Sequence, residues 1–187
     1  MSLYAVVPVR SFRMGKSRLA PELTEEERHS LAASLAERVT GAATRAGMTP
    51  LVVTSDPDVA AWARDSGYSV VPDPDAGLDA ACAAGVEAAG TERWVVIHAD
   101  LPLVTAADLE AVTAPVAAGR DVIAPSSDGG TSVLSSARPI RFSYGPASFH
   151  RHLARLDDPV IVTRTGLLHD LDTPRDYRSA AVLGAFG

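Results

Sequence analysis

Short apolar runs alternate with amphipathic helical segments along the first two thirds of this chain, and that alternation leaves few folds open. Leu3–Val7 has the character of a buried strand. Thr24-Glu25-Glu26-Glu27 forms a capping box, Thr24 capping and Glu27 reaching back. The helix it opens carries Leu31, Leu35 and Val39 at four-residue spacing and should end near Gly47. Pro50–Thr54 reads as a second strand, Asp56-Pro57 as the start of a helix closed by Gly67, and Tyr68–Val71 as a short strand. After a loop over Pro72–Gly77 come a helix at Leu78–Ala89, a strongly apolar and therefore central strand at Trp94–His98, a helix at Thr105–Ala117 and a strand at Asp121–Ala124. Beyond this the rhythm breaks. Pro125–Gly130 is rich in turn residues, Thr131–Ser135 reads as a strand, Ser148–Leu156 as a short helix and Pro159–Thr163 as a strand, and Thr173-Pro174 opens a last helix. The expectation is an α/β fold with a mostly parallel sheet covered by helices on both faces, in a single domain over residues 1–187. There is no internal repeat, low-complexity tract or linker.

The balance of charge narrows the ligand. A net charge of -6 argues against general affinity for nucleic acid or anionic membrane. Against that background four cations, Arg10, Arg13, Lys16 and Arg18, crowd the loop that leaves the first strand. In open α/β sheets the carboxyl ends of the strands are where ligands bind. A basic loop there, on an acidic protein, predicts a small polyphosphate ligand. Gly15 would let the backbone approach it closely. Lys16 would meet phosphate oxygens as a point charge and Arg18 bidentately. The loop has neither the Walker pattern nor the dinucleotide G-x-G-x-x-G. The single cysteine, Cys82, sits among alanines and reads as a buried helix thiol. No apolar stretch is long enough to span a bilayer, and no signal-peptide pattern is present, so cytoplasmic residence is expected.

Two further segments carry chemistry. His98-Ala99-Asp100-Leu101-Pro102 follows the central strand. A carboxylate emerging there can hold Mg²⁺ over the sheet edge, or can serve only as a turn residue; His98 reads as structural. In Asp170-Leu171-Asp172-Thr173-Pro174 the two acids point the same way on an extended segment and repel each other unless a cation lies between them. Capping of the last helix by Asp172 or Thr173 accounts for one acid but not for Asp170. Neutral donors come from the hydroxyl-rich Ser126–Ser132 and from Phe142–Ser148, where exposed N–H groups near Ser148 would suit a phosphate or carboxylate.

Taken together these motifs resemble the guanylyltransferases that make the deazaflavin coenzyme F-420 by activating 2-phospho-L-lactate or phosphoenolpyruvate with GTP, relatives of the molybdenum-cofactor guanylyltransferases. The resemblance runs through Val7-Pro8-Val9-Arg10, Lys16 to Pro21, His98 to Pro102, Gly130 to Leu134, Phe142 to Ser148 and Asp170 to Pro174. It implies a Rossmann-like three-layer nucleotidyltransferase fold. It implies Mg²⁺ on Asp100, Asp170 and Asp172, and a pocket for the phosphorylated three-carbon acid at Thr131, Gly145 and Ser148. It implies a nucleotide site over Val9, Arg10, Gly15 and Lys16, with base recognition by Gly77, Leu78 and Asp79, where the family usually has Asn in place of Asp79. Ser55, at the end of the second strand, is a further candidate base contact.

The reaction so implied is transfer of GMP from GTP to the acid with release of pyrophosphate. The attacking phosphate oxygen is already ionised at neutral pH, so no general base is required. The catalytic work then falls to positioning and charge neutralisation, with Lys16, Arg18 and Asp100 as its principal side chains. The alternatives are a nucleotidyltransferase with a molybdopterin, sugar-phosphate or 3-phosphoglycerate acceptor, and a non-catalytic nucleotide-binding regulator. The partners implied are GTP and the acid, with handover of a labile product to a downstream deazaflavin-precursor transferase. The helix faces are apolar enough for a homodimer without requiring one.

Overall fold

The computed structural model describes residues 2–186. Seven strands form one sheet: β1 (Leu3–Pro8), β2 (Thr49–Thr54), β3 (Ser69–Pro72), β4 (Arg93–Ile97), β5 (Val122–Pro125), β6 (Thr131–Ser135) and β7 (Val160–Ile161). Their order across the sheet is β3-β2-β1-β4-β6-β5-β7. The first half is parallel throughout, and β6 inserts antiparallel between β4 and β5. Apart from β6 the strands therefore make a mostly parallel sheet, and the most apolar strand, β4, stands in its middle as expected.

Strand alternation sorts the side chains onto two cores. Ala5, Val7, Val52, Val95 and Ile97 face one layer, where α1 (Glu25–Arg45) and α4 (Ala106–Ala117) pack; α2 (Pro57–Asp65) covers the same side through Val59 and Ala63. Val6, Leu51, Val53 and Val96 face the other, under α3 (Leu78–Ala89). Both faces of each strand are apolar because both are covered. Gly85 explains how closely α3 sits on the sheet: a Cβ there would lie 2.3 Å from Val6 Cγ1.

Several boundaries move from expectation for local reasons. The short helix α5 (Ser148–Leu153) stops before Leu156, because Arg155 and Leu156 turn to shorter i−3 bonds with His152 and Leu153. A one-turn helix, α6 (Thr165–Leu168), has no capping side chain and no sequence signal. It is held by burial of Leu167 and by a 2.7 Å bond from Ser127 N–H to the Leu168 carbonyl. The last helix, α7 (Pro174–Val182), starts as expected, and its cap is Thr173, paired with Asp176 in a capping box. No helix among the described residues is long and apolar enough to cross a membrane.

Candidate functional site

β1 and β4 lie side by side, yet the chain leaves β1 toward β2 and leaves β4 toward β5. That divergence opens a crevice at their carboxyl ends, where ligands bind in sheets of this kind. A cleft of about 230 Å³ lies there, lined by Pro8, Val9, Arg10, Gly15 and Lys16 from the first loop, Leu78 from α3, and His98 and Asp100. A larger groove, about 650 Å³, opens at the other end of β4 around Arg93. Its arginines are spent on the fold: Arg93 on the Val116 carbonyl, Arg120 on Asp158 and Arg138 on Asp157.

The basic loop folds tightly enough to aim Lys16 inward. Gly15 is required by close approach, since a Cβ would stand 2.9 Å from the Ser11 carbonyl oxygen. Lys16 itself takes a left-handed conformation, φ 56°, which is uncommon for a side-chain-bearing residue. A single 3-10 turn over Ser17–Leu19 follows and buries Leu19 completely. Leu19 joins Leu35, Leu171, Ala180 and Ala185 in a small core of its own. Leu171 lies between Asp170 and Asp172, so this cluster draws the basic loop and the late acidic segment together.

The two distant acidic stretches meet. Leu171 N–H donates to the Asp100 carbonyl at 2.9 Å. Lys16 Nζ donates to Asp100 Oδ2 at 3.0 Å and to the Leu171 carbonyl at 2.5 Å. The pair is well shielded, the Lys16 and Asp100 side chains being 11% and 28% exposed. Burial alone would raise the Asp100 carboxyl's pKa; the Lys16 ammonium, then His98, outweigh it and hold it below the usual range. Asp100 Oδ1 is buried with no hydrogen-bond partner. Asp170 moves the other way, its pKa pushed up to about 6 by burial first, then by the charges of Asp100 and Asp128.

Asp172 does not join that cluster. Its carboxylate is taken by Arg18, whose Nη1 lies 2.5 Å from Oδ2. Among the described residues no three acids, histidines or cysteines are grouped to hold a metal ion. The expected trio is thus a pair, Asp100 and Asp170, with Asp172 and Arg18 engaged with each other at the rim. Asp128, on the β5–β6 turn, is an acid near this pair that the sequence did not single out. It accepts from Ser126 Oγ and Gly130 N–H, and its only sequence signal is the turn composition of Ser126–Gly130.

The remaining candidates fall into two groups. On the nucleotide side Arg10 is exposed and forms no ion pair among the described residues, and Gly77 precedes α3 with φ 93°. Ser55 donates to Asp75 at 2.6 Å, and Asp79 Oδ1 accepts from Tyr144 N–H at 2.7 Å. Asp79 therefore links α3 to the 142–147 loop. On the other side Thr131 and Ser148 are buried and their hydroxyl oxygens lie 3.4 Å apart, with Gly145 on the exposed turn above, at φ 100°. Two amides near Ser148 are taken, Ser148 N–H donating to the Gly145 carbonyl and Phe149 N–H to that of Gly129, while the Gly145 N–H makes no hydrogen bond among the described residues.

His98 and His152, the one judged structural and the other not singled out, flank this region. His98 Nε2 is buried without a partner, and its ring lies 4.9 Å from that of Tyr144. The Tyr144 ring in turn lies edge-on to His152, centroids 4.8 Å apart.

Comparison with known proteins bears on the family and the fold. Residues 3–159 match a family model described as guanylyl transferase CofC like. The chain is 33% identical to a phosphoenolpyruvate guanylyltransferase from Sphaerobacter thermophilus, covering 97% of this chain and 93% of the relative. It is 26% identical to a 2-phospho-L-lactate guanylyltransferase from Methanobrevibacter smithii, over 97% and 85%. Among solved structures, a nucleotidyl transferase from Methanothermobacter thermautotrophicus shares the fold at a TM-score of 0.64 and 21% identity, covering 95% of each chain. A manganese complex of a Mycobacterium tuberculosis protein does so at 0.59 and 18%, covering 96% of this chain and 98% of that one. On the family match and the full-length similarity, this chain belongs to the CofC-like guanylyl transferase family.

Proposed function

We propose that this protein transfers GMP from GTP to a phosphorylated three-carbon acid, phosphoenolpyruvate before 2-phospho-L-lactate, releasing pyrophosphate in the making of a deazaflavin coenzyme. The convergence of Asp100, Asp170 and Lys16 at the sheet's divergence point carries this reading. The order of acceptors follows the relatives, 33% identity over 97% of this chain to a phosphoenolpyruvate enzyme against 26% over 97% and 31% over 82% to two phospholactate ones.

The chain's own groups account for most of the mechanism. The reacting phosphates repel each other, so the site must supply positive charge and fixed geometry rather than a base. Lys16 presents an ammonium at the floor of the cleft and Arg10 a guanidinium at its lip, both suited to triphosphate oxygens. Arg18 would be drawn from Asp172 toward the same phosphates. The acceptor's phosphate oxygen attacks the α-phosphorus of GTP, and the bond from that phosphorus to the bridging oxygen of pyrophosphate breaks. Asp79 keeps one carboxylate oxygen on Tyr144 N–H, leaving the other for guanine N–H donors.

The residues also fit a divalent cation. Asp100 has an oxygen with no partner, and Asp170 is an acid whose ionisation burial and three neighbouring acids, Asp100, Asp128 and Asp176, oppose, a cost that a cation would relieve. Asp100 and Asp170 would hold Mg²⁺, with Asp172 available if Arg18 leaves it. When bound there the ion supplies charge against the phosphates.

Pyrophosphate release is the test, with purified protein, Mg²⁺, each nucleoside triphosphate and each acid in turn. The expected result is release requiring both GTP and phosphoenolpyruvate, slower with 2-phospho-L-lactate. Release with a sugar phosphate, or with no three-carbon acid, would overturn the proposal.

A further inference from the structure

His152 is fully buried in the last turn of α5, and both of its ring nitrogens are used. Ser143 N–H lies 2.9 Å from Nε2, and Thr131 Oγ1 lies 3.0 Å from Nδ1. A backbone amide only donates, so Nε2 must be the bare nitrogen. The neutral ring then carries its proton on Nδ1 and donates it to Thr131. Burial keeps the ring neutral, with Arg155 next in effect, lowering its pKa to about 4. The other charged or titratable groups acting on it are Asp79, Arg151 and His98.

That tautomer sets the polarity of what lies beside it. Thr131 Oγ1 accepts from the ring and lies 3.4 Å from Ser148 Oγ. The two hydroxyls carry two hydrogens, and their mutual contact uses one. One hydrogen is left over for a third partner, which must be an acceptor. The loop above is held in a matching sense. Arg151 donates to the carbonyls of Ser143, Tyr144 and Pro146, which turns the carbonyl side of the loop toward the guanidinium. Its amide side is shared among His152, Asp79 and the Gly145 N–H, which makes no hydrogen bond among the described residues.

We propose that His152 is a positioning residue for the acceptor acid: its neutral ring clamps the 142–147 loop to β6 and polarises the Thr131–Ser148 hydroxyl pair as a net donor to an anionic oxygen of that acid. The proposal rests on the reading that Thr131, Gly145 and Ser148 bind the acceptor. It adds why this pocket favours a fully ionised phosphate or carboxylate. The groups left without a partner, one hydroxyl hydrogen and the Gly145 N–H, are both donors.

Two substitutions separate the ring's two bonds. His152→Asn keeps an amide donor near the place of Nδ1 and loses the acceptor for Ser143. His152→Gln sets a carbonyl near the place of Nε2 and loses the donor to Thr131. The expected result is a KM for phosphoenolpyruvate raised roughly tenfold or more in His152→Gln, the scale of a lost buried hydrogen bond. His152→Asn should suffer less, and the KM for GTP should stay within about twofold in both, as is expected when only acceptor contacts are disturbed. Nitrogen NMR of the unsubstituted protein reads the tautomer directly, without any variant. A neutral ring protonated on Nδ1 at pH 7 is expected. A charged or Nε2-protonated ring, equal changes in both KM values, or a lowered melting point with both KM values unchanged would each overturn the role. If the unsubstituted protein releases no pyrophosphate with phosphoenolpyruvate, the acceptor reading falls and this role with it; normal turnover with an unmoved acceptor KM removes His152 alone.

Discussion

Asp170 is the residue whose environment is least comfortable. Its carboxyl titrates near 6 rather than at the ordinary 3.8 because it is half-buried beside Asp100 and Asp128. Between those two values the folded protein holds a proton that the unfolded chain has lost, so stability declines as pH rises through that window and stays lower at neutral pH. Asp170→Asn should therefore raise the melting temperature at pH 7.5 without added metal and change it little at pH 4. The rise should be a few degrees, since about 1 kcal/mol moves a chain of this size by roughly 2–4 °C. Mg²⁺ should raise the melting temperature of the unsubstituted protein at pH 7.5 and leave Asp170→Asn unmoved, because a ligand that binds only the folded form stabilises it. Thermal scans at the two pH values, with and without Mg²⁺, decide both points. A variant that melts lower at pH 7.5, or that responds to Mg²⁺ as the parent does, contradicts this account of Asp170. The partner residues Lys16 and Asp100 show the opposite case, a shielded ion pair of good geometry in which each charge lowers the cost of burying the other.

At the scale of elements, the site depends on a small third core as much as on the sheet. Leu19, Leu35 and Leu171 bury themselves together and so fix the basic loop, α1 and the acidic segment as one unit. Leu171→Ala should cost about 2–5 kcal/mol, the range for a leucine removed from a full core. It should also weaken GTP binding, because Lys16 loses the fixed position of its Leu171 carbonyl acceptor. Chemical denaturation and a GTP titration check the two effects; a destabilised protein with unchanged GTP affinity would detach this core from the site. The same contrast explains what could be read from the sequence. Helices with a capping residue and periodic apolar faces, such as those opened by Thr24, Asp56 and Thr173, declare themselves locally. So did the positions of Lys16 and Asp100, because strand ends face the crevice in any such sheet. The antiparallel insertion of β6, the one-turn helix α6 and the pairing of Arg18 with Asp172 depend on residues far apart in the chain. Neither periodicity nor spacing reports them. His152 was illegible for a similar reason: a histidine in a short helix says nothing of its two partners, one 21 residues and the other 9 residues away.

For the molecule as a whole, an acidic protein of net charge -6 sets Lys16 inward at one edge of the sheet, with Arg10 and Arg18 exposed beside it. That edge is where two halves of the sheet diverge, so the loops after β1 and β4 and the segment before α7 share one crevice. The larger groove at the other end carries arginines already committed to the fold, which leaves the divergence point as the chemically equipped surface. The central claim is that Asp100, lying against Lys16 and the Asp170 segment, is indispensable for activating GTP and not for folding. Asp100→Asn keeps the side chain's size and an oxygen for Lys16, so it isolates the charge. The direct measurement is the rate of pyrophosphate release by this variant and by its parent, with saturating GTP, phosphoenolpyruvate and Mg²⁺. The account predicts a fall of about 100-fold or more, the scale of losing one electrostatic contributor, in a protein that still melts cooperatively near the parent's temperature; release at the parent's rate would contradict it.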